Sequence, residues 1–150
     1  MKGEKTDMKK ILVVAAHPDD EILGVGATVA KHAAQGDEVY ALILGEGQTS
    51  RGEHRADISA EVVKELHQNT LESAEKVGYK EVYFADFPDN RFDQVDLLDV
   101  VKAVEHKIKE IQPEIIYTHY SGDLNIDHQY TARAVLTATR PIGDYPVKEI

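Results

Sequence analysis

The chain has 150 residues, 42% of them hydrophobic, and 17 Lys+Arg against 27 Asp+Glu leave a formal net charge of −10. A domain of this length hides roughly 68–70% of the surface its unfolded chain exposes, enough for a core without disulfides, and zero cysteines exclude a disulfide framework, a thiolate nucleophile and thiolate metal ligands. The acidic balance argues against nucleic acid and anionic membranes, which are bound through clustered Lys and Arg, and no run reaches the roughly 18 apolar residues of a membrane span or forms the apolar core of a signal peptide behind MKGEKTDMKK.

These exclusions predict one cytoplasmic domain over residues 1–150 that acts on a small molecule. Met1 to Asp7 reads as a flexible leader, with a second usable start at Met8. Ile11 to Ala16 is a continuous apolar run, the pattern of a strand buried on both faces. A helix is predicted over Glu21 to Gln35, with Ile22, Val25, Val29 and Ala33 at three- to four-residue steps and Gly36 past its end. Val39 to Leu44 repeats the strand pattern and Gly45-Glu46-Gly47 closes it; Ser59 to Val77 reads as a helix with Val62, Val63, Leu66, Ala74 and Val77 on one side, stopped by Gly78. Val82 to Ala85 is a third strand, and Asp86 to Gln94 a loop of turn formers. Asp96 is placed to cap a helix running to Ile111, with Leu97, Val101, Val104 and Ile108 inward and Pro113 ending it. Ile115 to Thr118 is a fourth strand, followed by a polar loop to Asp127 and a helix from His128 to about Thr139. Strands alternating with helices imply right-handed crossovers and a mostly parallel sheet covered on both faces, a Rossmann-like three-layer α/β fold.

Ligands of such sheets bind beyond the carboxyl ends of the strands, so the loops there hold the candidate chemistry. After the first strand stand His17, Pro18, Asp19, Asp20 and Glu21. Two adjacent carboxylates at a helix start suit the helix dipole as simple caps, but His17 beside them, with the backbone fixed by Pro18, allows an imidazole and a carboxylate to converge on one ion. Asp127-His128, at another helix start after the neighbouring strand, supplies a third group. Two His and one carboxylate with a position left for water is the donor set of a catalytic metal site. Two other readings compete. Gly24 and Gly26, with Glu46 twenty residues on, resemble part of a dinucleotide fingerprint, but acidic residues stand between the strand and the glycines, where a pyrophosphate would have to approach. A non-haem iron triad uses the same residue types, usually on β-barrels rather than an α/β fold.

The run Ala16-His17-Pro18-Asp19-Asp20-Glu21 after a buried strand, with Asp127-His128 opening a later helix, resembles the PIG-L/LmbE-like N-acetylglucosaminyl deacetylases. The likeness extends from Ile11 to about Arg140 and includes Gly45-Glu46-Gly47, Thr49-Ser50-Arg51 and Asp89-Asn90. It implies a hydrolase that removes acetyl from an N-acetylated amino sugar conjugate with the help of zinc, ferrous iron or another divalent ion being the alternative. His17, Asp20 and His128 would hold the metal, Asp19 would be the general base, and Asp127 would steer Asp19 or a ligand. Arg51, Asp89 and Asn125 are the residues it places at the substrate, with His54 a weaker candidate.

Two departures accompany the resemblance. Many members carry a His three residues before the last metal ligand, where this chain has Asn125, which leaves the acid that protonates the leaving amine open between Asp19 and His119. Family chains also run on through further strands, whereas this one stops at Val147-Lys148-Glu149-Ile150, where another strand would begin. An uncovered sheet edge there would favour a homo-oligomer. The other readings that remain are a Rossmann-like nucleotide-binding module and an inactive fragment. His32, His67 and His106 fall within helices and are expected to face solvent.

Overall fold

The structure is a computed structural model, and it describes residues 7–54, 56, 59–143 and 146–150. Strands β1 (Lys10–Ala15), β2 (Glu38–Gly45), β3 (Glu81–Phe87) and β4 (Ile115–Tyr117) form one parallel sheet in the order β3-β2-β1-β4. Side chains alternate across it. Leu12, Val14, Leu42 and Ile116 point to one face, where they pack with Val100, Val104 and Ile108 of α4 (Leu97–Ile111) and Val135 of α5 (Ile126–Ala138). Ile11, Val13, Val39 and Ala41 point to the other, against Val29 of α2 (Gly26–Ala34) and Ala74 of α3 (Ala60–Val77). Burial on both faces is why the first two strands read as unbroken apolar runs.

After β3 the chain returns to the far side of β1, so the sheet order reverses between β1 and β4. That reversal opens a crevice at their carboxyl ends, the place where such sheets take ligands. β1 pairs with β4 from Ile11↔Ile115 to Val13↔Tyr117, which brings the loop beginning at His17 alongside the loop beginning at Thr118. The Thr118 hydroxyl donates to the Val14 carbonyl at 3.0 Å and continues the tie past the last ladder pair.

Several boundaries differ from the sequence reading for local reasons. The helix predicted over Glu21 to Gln35 is two: α1 (Asp20–Leu23), then α2, separated where Val25 leaves helical geometry at φ −132, ψ 7. Glycines on both sides of Val25 lower the cost of the break. α5 starts at Ile126 because Asn125 caps it, accepting the N–H of Asp127 at 2.9 Å and of His128 at 3.3 Å. Asp96 sits at the start of α4, but its carboxylate makes no capping bond. Of the leader, only Asp7 is among the described residues, and it is exposed. Near its last residues the chain forms an isolated parallel bridge, Glu149 with Ile115, and Ile116 N–H donates to Glu149 O at 3.0 Å. No helix among the described residues is long and apolar enough to cross a membrane.

Gly78 shows where the packing has no slack. It ends α3 in the left-handed region at φ 111, and a Cβ there would lie 2.7 Å from the Ala33 Cβ on α2. Left-handed geometry costs a side-chain-bearing residue roughly 1–2 kcal/mol, and the clash adds to it. Gly78→Ala is therefore expected to lower stability by about 2 kcal/mol or more, read as a shifted denaturation midpoint at unchanged slope.

Candidate metal centre

The loop after β1 is folded tightly by its own polar groups. His17 N–H donates to Asp20 Oδ2 at 2.9 Å. Asp19 takes φ 114, and its N–H donates to Glu21 Oε2 at 2.9 Å. Such a conformation costs an ordinary residue about 1–3 kcal/mol and persists only where its surroundings hold it. The turn delivers the side chains of His17 and Asp20 to the crevice, and α5 delivers His128 from the other wall.

There the three approach closely. Asp20 Oδ2 lies 3.5 Å from His17 Nδ1 and 3.3 Å from His128 Nε2. Ligand atoms bound to one tetrahedral ion at about 2.0–2.1 Å stand roughly 3.3–3.4 Å apart. The spacing thus fits an ion, and His17, Asp20 and His128 are a group that could hold one. The two remaining ring nitrogens each face a carboxylate: His17 Nε2 meets Asp127 Oδ2 at 2.9 Å, and His128 Nδ1 meets Asp123 Oδ2 at 3.1 Å. Carboxylates on the far nitrogens fix ring orientation and tautomer, the usual support of metal-bound histidines. Asp123→Ala should accordingly weaken divalent metal binding by about 10–100-fold without unfolding the protein, measured by titration against a competing chelator.

His17 also lies 3.4 Å from Asp89 Oδ1, so it forms a second group with buried Asp89 and Asp127. Asp127 is fully buried, and its other oxygen accepts Phe92 N–H at 3.0 Å. Burial opposes a charge on His17, but the bonds from Asp127 and Asp20 override it and raise the imidazole to about 10. Asp20 is held below the usual carboxylate range: burial acts against its charge, but the bonds from His17 and the nearby His119 and His128 prevail. Asp19 is pushed upward, by burial first and then by the charge of Asp20.

The other predicted residues fall into place unequally. His119 stacks on His128 at 3.9 Å and lies 3.5 Å from Asp20 Oδ2, but its Nε2 accepts the Ala16 N–H at 2.8 Å, and burial followed by the charge of His128 lowers it to about 4. It is a neutral imidazole with its proton on Nδ1. Asp89 is 4% exposed and accepts from the Ser50 hydroxyl, so it faces the protein rather than the crevice mouth. Asn125 uses its oxygen to cap α5, while its Nδ2 donates to Asn90 Oδ1 at 3.1 Å. Arg51 stands exposed at the end of the short 3-10 turn Thr49–Arg51, close enough for its charge to act on Asp19. His54 is exposed, as is His106.

His32 and His67 do not face solvent as expected. His32 bridges Asp37 Oδ2 at 2.7 Å and the Tyr117 hydroxyl at 3.1 Å; His67 stacks on Phe84 at 3.9 Å with Nε2 3.0 Å from Asp86. Tyr117, Phe84 and Asp86 come from other elements, which helical periodicity cannot register, and Asp37 stands between α2 and β2. Gly24 and Gly26 flank the α1–α2 break. Sequence reasoning passed over Asp123 and Glu21. Asp123 lies five residues before His128, a spacing with meaning only once the loop is folded. Glu21 was visible as the last residue of the motif but had no part assigned to it.

A cleft of about 340 Å³ opens beside this group, lined by Asp20, His119 and His128 together with Val13, Leu23 and Tyr117. Residues 12–139 match PIG-L, the family described as GlcNAc-PI de-N-acetylase. An uncharacterized deacetylase of Escherichia coli K12, YaiS, is 29% identical over 139 residues, covering 89% of this chain and 70% of its own. A probable N-acetyl-alpha-D-glucosaminyl L-malate deacetylase of Bacillus cereus is 31% identical over 134 residues, covering 87% of this chain and 60% of its own. Among solved structures, GalB, the 4-carboxy-2-hydroxymuconate hydratase of Pseudomonas putida KT2440, has a TM-score of 0.73 and 26% identity, covering 88% of this chain and 56% of that one. The chain thus spans 56% to 70% of the length of these three proteins. With residues 12–139 matched to it, the chain belongs to the PIG-L family.

Proposed function

We propose that the protein is a metal-dependent hydrolase that removes the acetyl group from an N-acetylglucosamine-type conjugate, with zinc held by His17, Asp20 and His128 and with Asp19 as general base. The observation that carries the reading is the convergence of His17 Nδ1 and His128 Nε2 on Asp20 Oδ2 at 3.5 and 3.3 Å, beside a carboxyl whose affinity for protons is raised. Family membership and relatives named for N-acetylglucosaminyl substrates support it. When bound, the ion lowers the pKa of a coordinated water to roughly 7 and polarises the acetamide carbonyl.

The chain's own side chains do the rest. Asp127 and Asp123 hold the two imidazoles in register. Asp19 takes a proton from the attacking water as it adds to the acetyl carbon, and returns it to the nitrogen as the C–N bond breaks, leaving acetate and a free amine. A carboxyl raised towards the working pH suits both transfers. Asp19 fits the second better than His119, whose Nε2 already accepts the Ala16 N–H. Arg51, exposed beside Asp19, presents a planar donor fork to sugar hydroxyls or a phosphate.

The test is a screen for acetate release over N-acetylglucosamine, its β-linked dimer and its malate and inositol conjugates, with and without a chelator. Chelator-sensitive release of acetate with one free amine per acetate is expected. No acetate from any of them by the zinc-loaded protein contradicts the proposal. The likeness to a hydratase supplies the second reading: water adding to an unsaturated acid bleaches its ultraviolet absorbance and liberates no acetate.

A further inference from the structure

The carboxylate of Glu21 takes no part in the reaction proposed above, yet it is 1% exposed. A carboxylate stays buried only where its hydrogen bonds hold it. Its Oε2 accepts the Asp19 N–H at 2.9 Å, and its own backbone carbonyl accepts the Tyr79 hydroxyl at 2.7 Å, so the residue is anchored at side chain and main chain. The nearest ordinary arrangement is a capping box, in which an acidic residue early in the helix reaches back to the N-cap N–H while the N-cap side chain bonds forward to the helix. Here only the backward half is present. Asp19 occupies the N-cap position of α1, and its carbonyl accepts the N–H groups of Ile22 at 3.0 Å and Leu23 at 2.8 Å, but its side chain makes no capping bond. Both main-chain groups of Asp19 are thus tied, its φ is 114, and its carboxylate is left to stand near Arg51 and His128.

We propose that Glu21 is a positioning residue: by accepting the Asp19 N–H it holds the left-handed turn that keeps the Asp19 carboxylate off the helix cap and within reach of the charges of His17 and His128. The proposal rests on the reading of Asp19 as general base, and its test separates the two. Glu21→Met fills the buried space without an acceptor, and Glu21→Gln keeps an acceptor oxygen. In metal-free protein, hydrogen exchange at the Asp19 amide is expected to be protected in the parent and in Glu21→Gln and at least about tenfold faster in Glu21→Met, with the global unfolding midpoint unchanged or raised, since an apolar side chain of similar volume often replaces a buried charge without loss.

With zinc bound, kcat of Glu21→Met on the best acetylated sugar of the screen should fall by about 10²-fold, with KM and zinc stoichiometry unchanged, and Glu21→Gln should recover most of that loss. An Asp19 amide as protected in Glu21→Met as in the parent, or full kcat in that variant, overturns the proposal. So does an equal loss in Glu21→Gln, which carries the test alone if Glu21→Met does not fold. A parent protein inert on every acetylated sugar would end the hydrolase reading, while exchange at Asp19 would still decide the clamp.

Discussion

Asp19→Asn is expected to keep its zinc and to lose acetate release by about 10²–10⁴-fold, the range contributed by a positioned general base. Asparagine is the informative replacement because it tolerates positive φ better than any residue but glycine, so the turn at φ 114 survives and only the proton-accepting group is removed. The carboxyl being removed is one that burial and the neighbouring Asp20 have made a better base than a free aspartate. The loss should fall on kcat, with KM and zinc content close to the parent's, since neither Asp20 nor the two imidazoles are touched. Zinc-loaded Asp19→Asn that turns over at the parental rate would remove Asp19 from the chemistry.

His128→Ala and His17→Ala are both expected to abolish stoichiometric zinc binding and activity, but to differ in stability. His128 is a half-buried ring whose carboxylate neighbours, Asp20 and Asp123, keep partners or solvent when it goes: Asp123 is 38% exposed, and Asp20 still accepts the His17 N–H. His17 stands between Asp20, Asp89 and Asp127, the last fully buried. Among the described residues, its loss leaves that carboxylate with the Phe92 N–H alone as a hydrogen-bond partner. Breaking a buried pair by removing one partner costs about 3–5 kcal/mol, so metal-free His17→Ala should unfold at a clearly lower denaturant concentration than metal-free His128→Ala. Equal midpoints for the two would mean that Asp127 does not depend on His17 in the folded protein.

The first two strands were legible because burial on both sheet faces leaves unbroken apolar runs such as Ile11 to Ala16, and α4 because it places Val101, Val104 and Ile108 at helical spacing. The same periodicity ran straight through the α1–α2 break, since Ile22, Val25 and Val29 fit one helix in sequence and the backbone at Val25 does not. At the site, residue types and strand order brought the loop from His17 to Glu21 and the pair Asp127-His128 to one crevice, and the likeness to the PIG-L/LmbE-like family singled out His17, Asp20 and His128. The partners that orient them were harder to see. Asp127 is adjacent to His128 in sequence yet bonds His17, 110 residues away. The folded occupation of Asn125, capping α5 and bonding Asn90, follows from loop geometry that no spacing rule encodes. His119 was legible as a neighbour of the site but not as an acceptor for the Ala16 N–H, a bond that exists only because β4 lies beside β1.

A zinc-edge anomalous difference map from crystals of the zinc-loaded protein tests the central claim most directly. The account predicts one strong peak about 2.0–2.2 Å from His17 Nδ1, an Asp20 carboxylate oxygen and His128 Nε2, with Asp127 and Asp123 still on the far nitrogens. A peak elsewhere, or one that leaves out either imidazole, would contradict it.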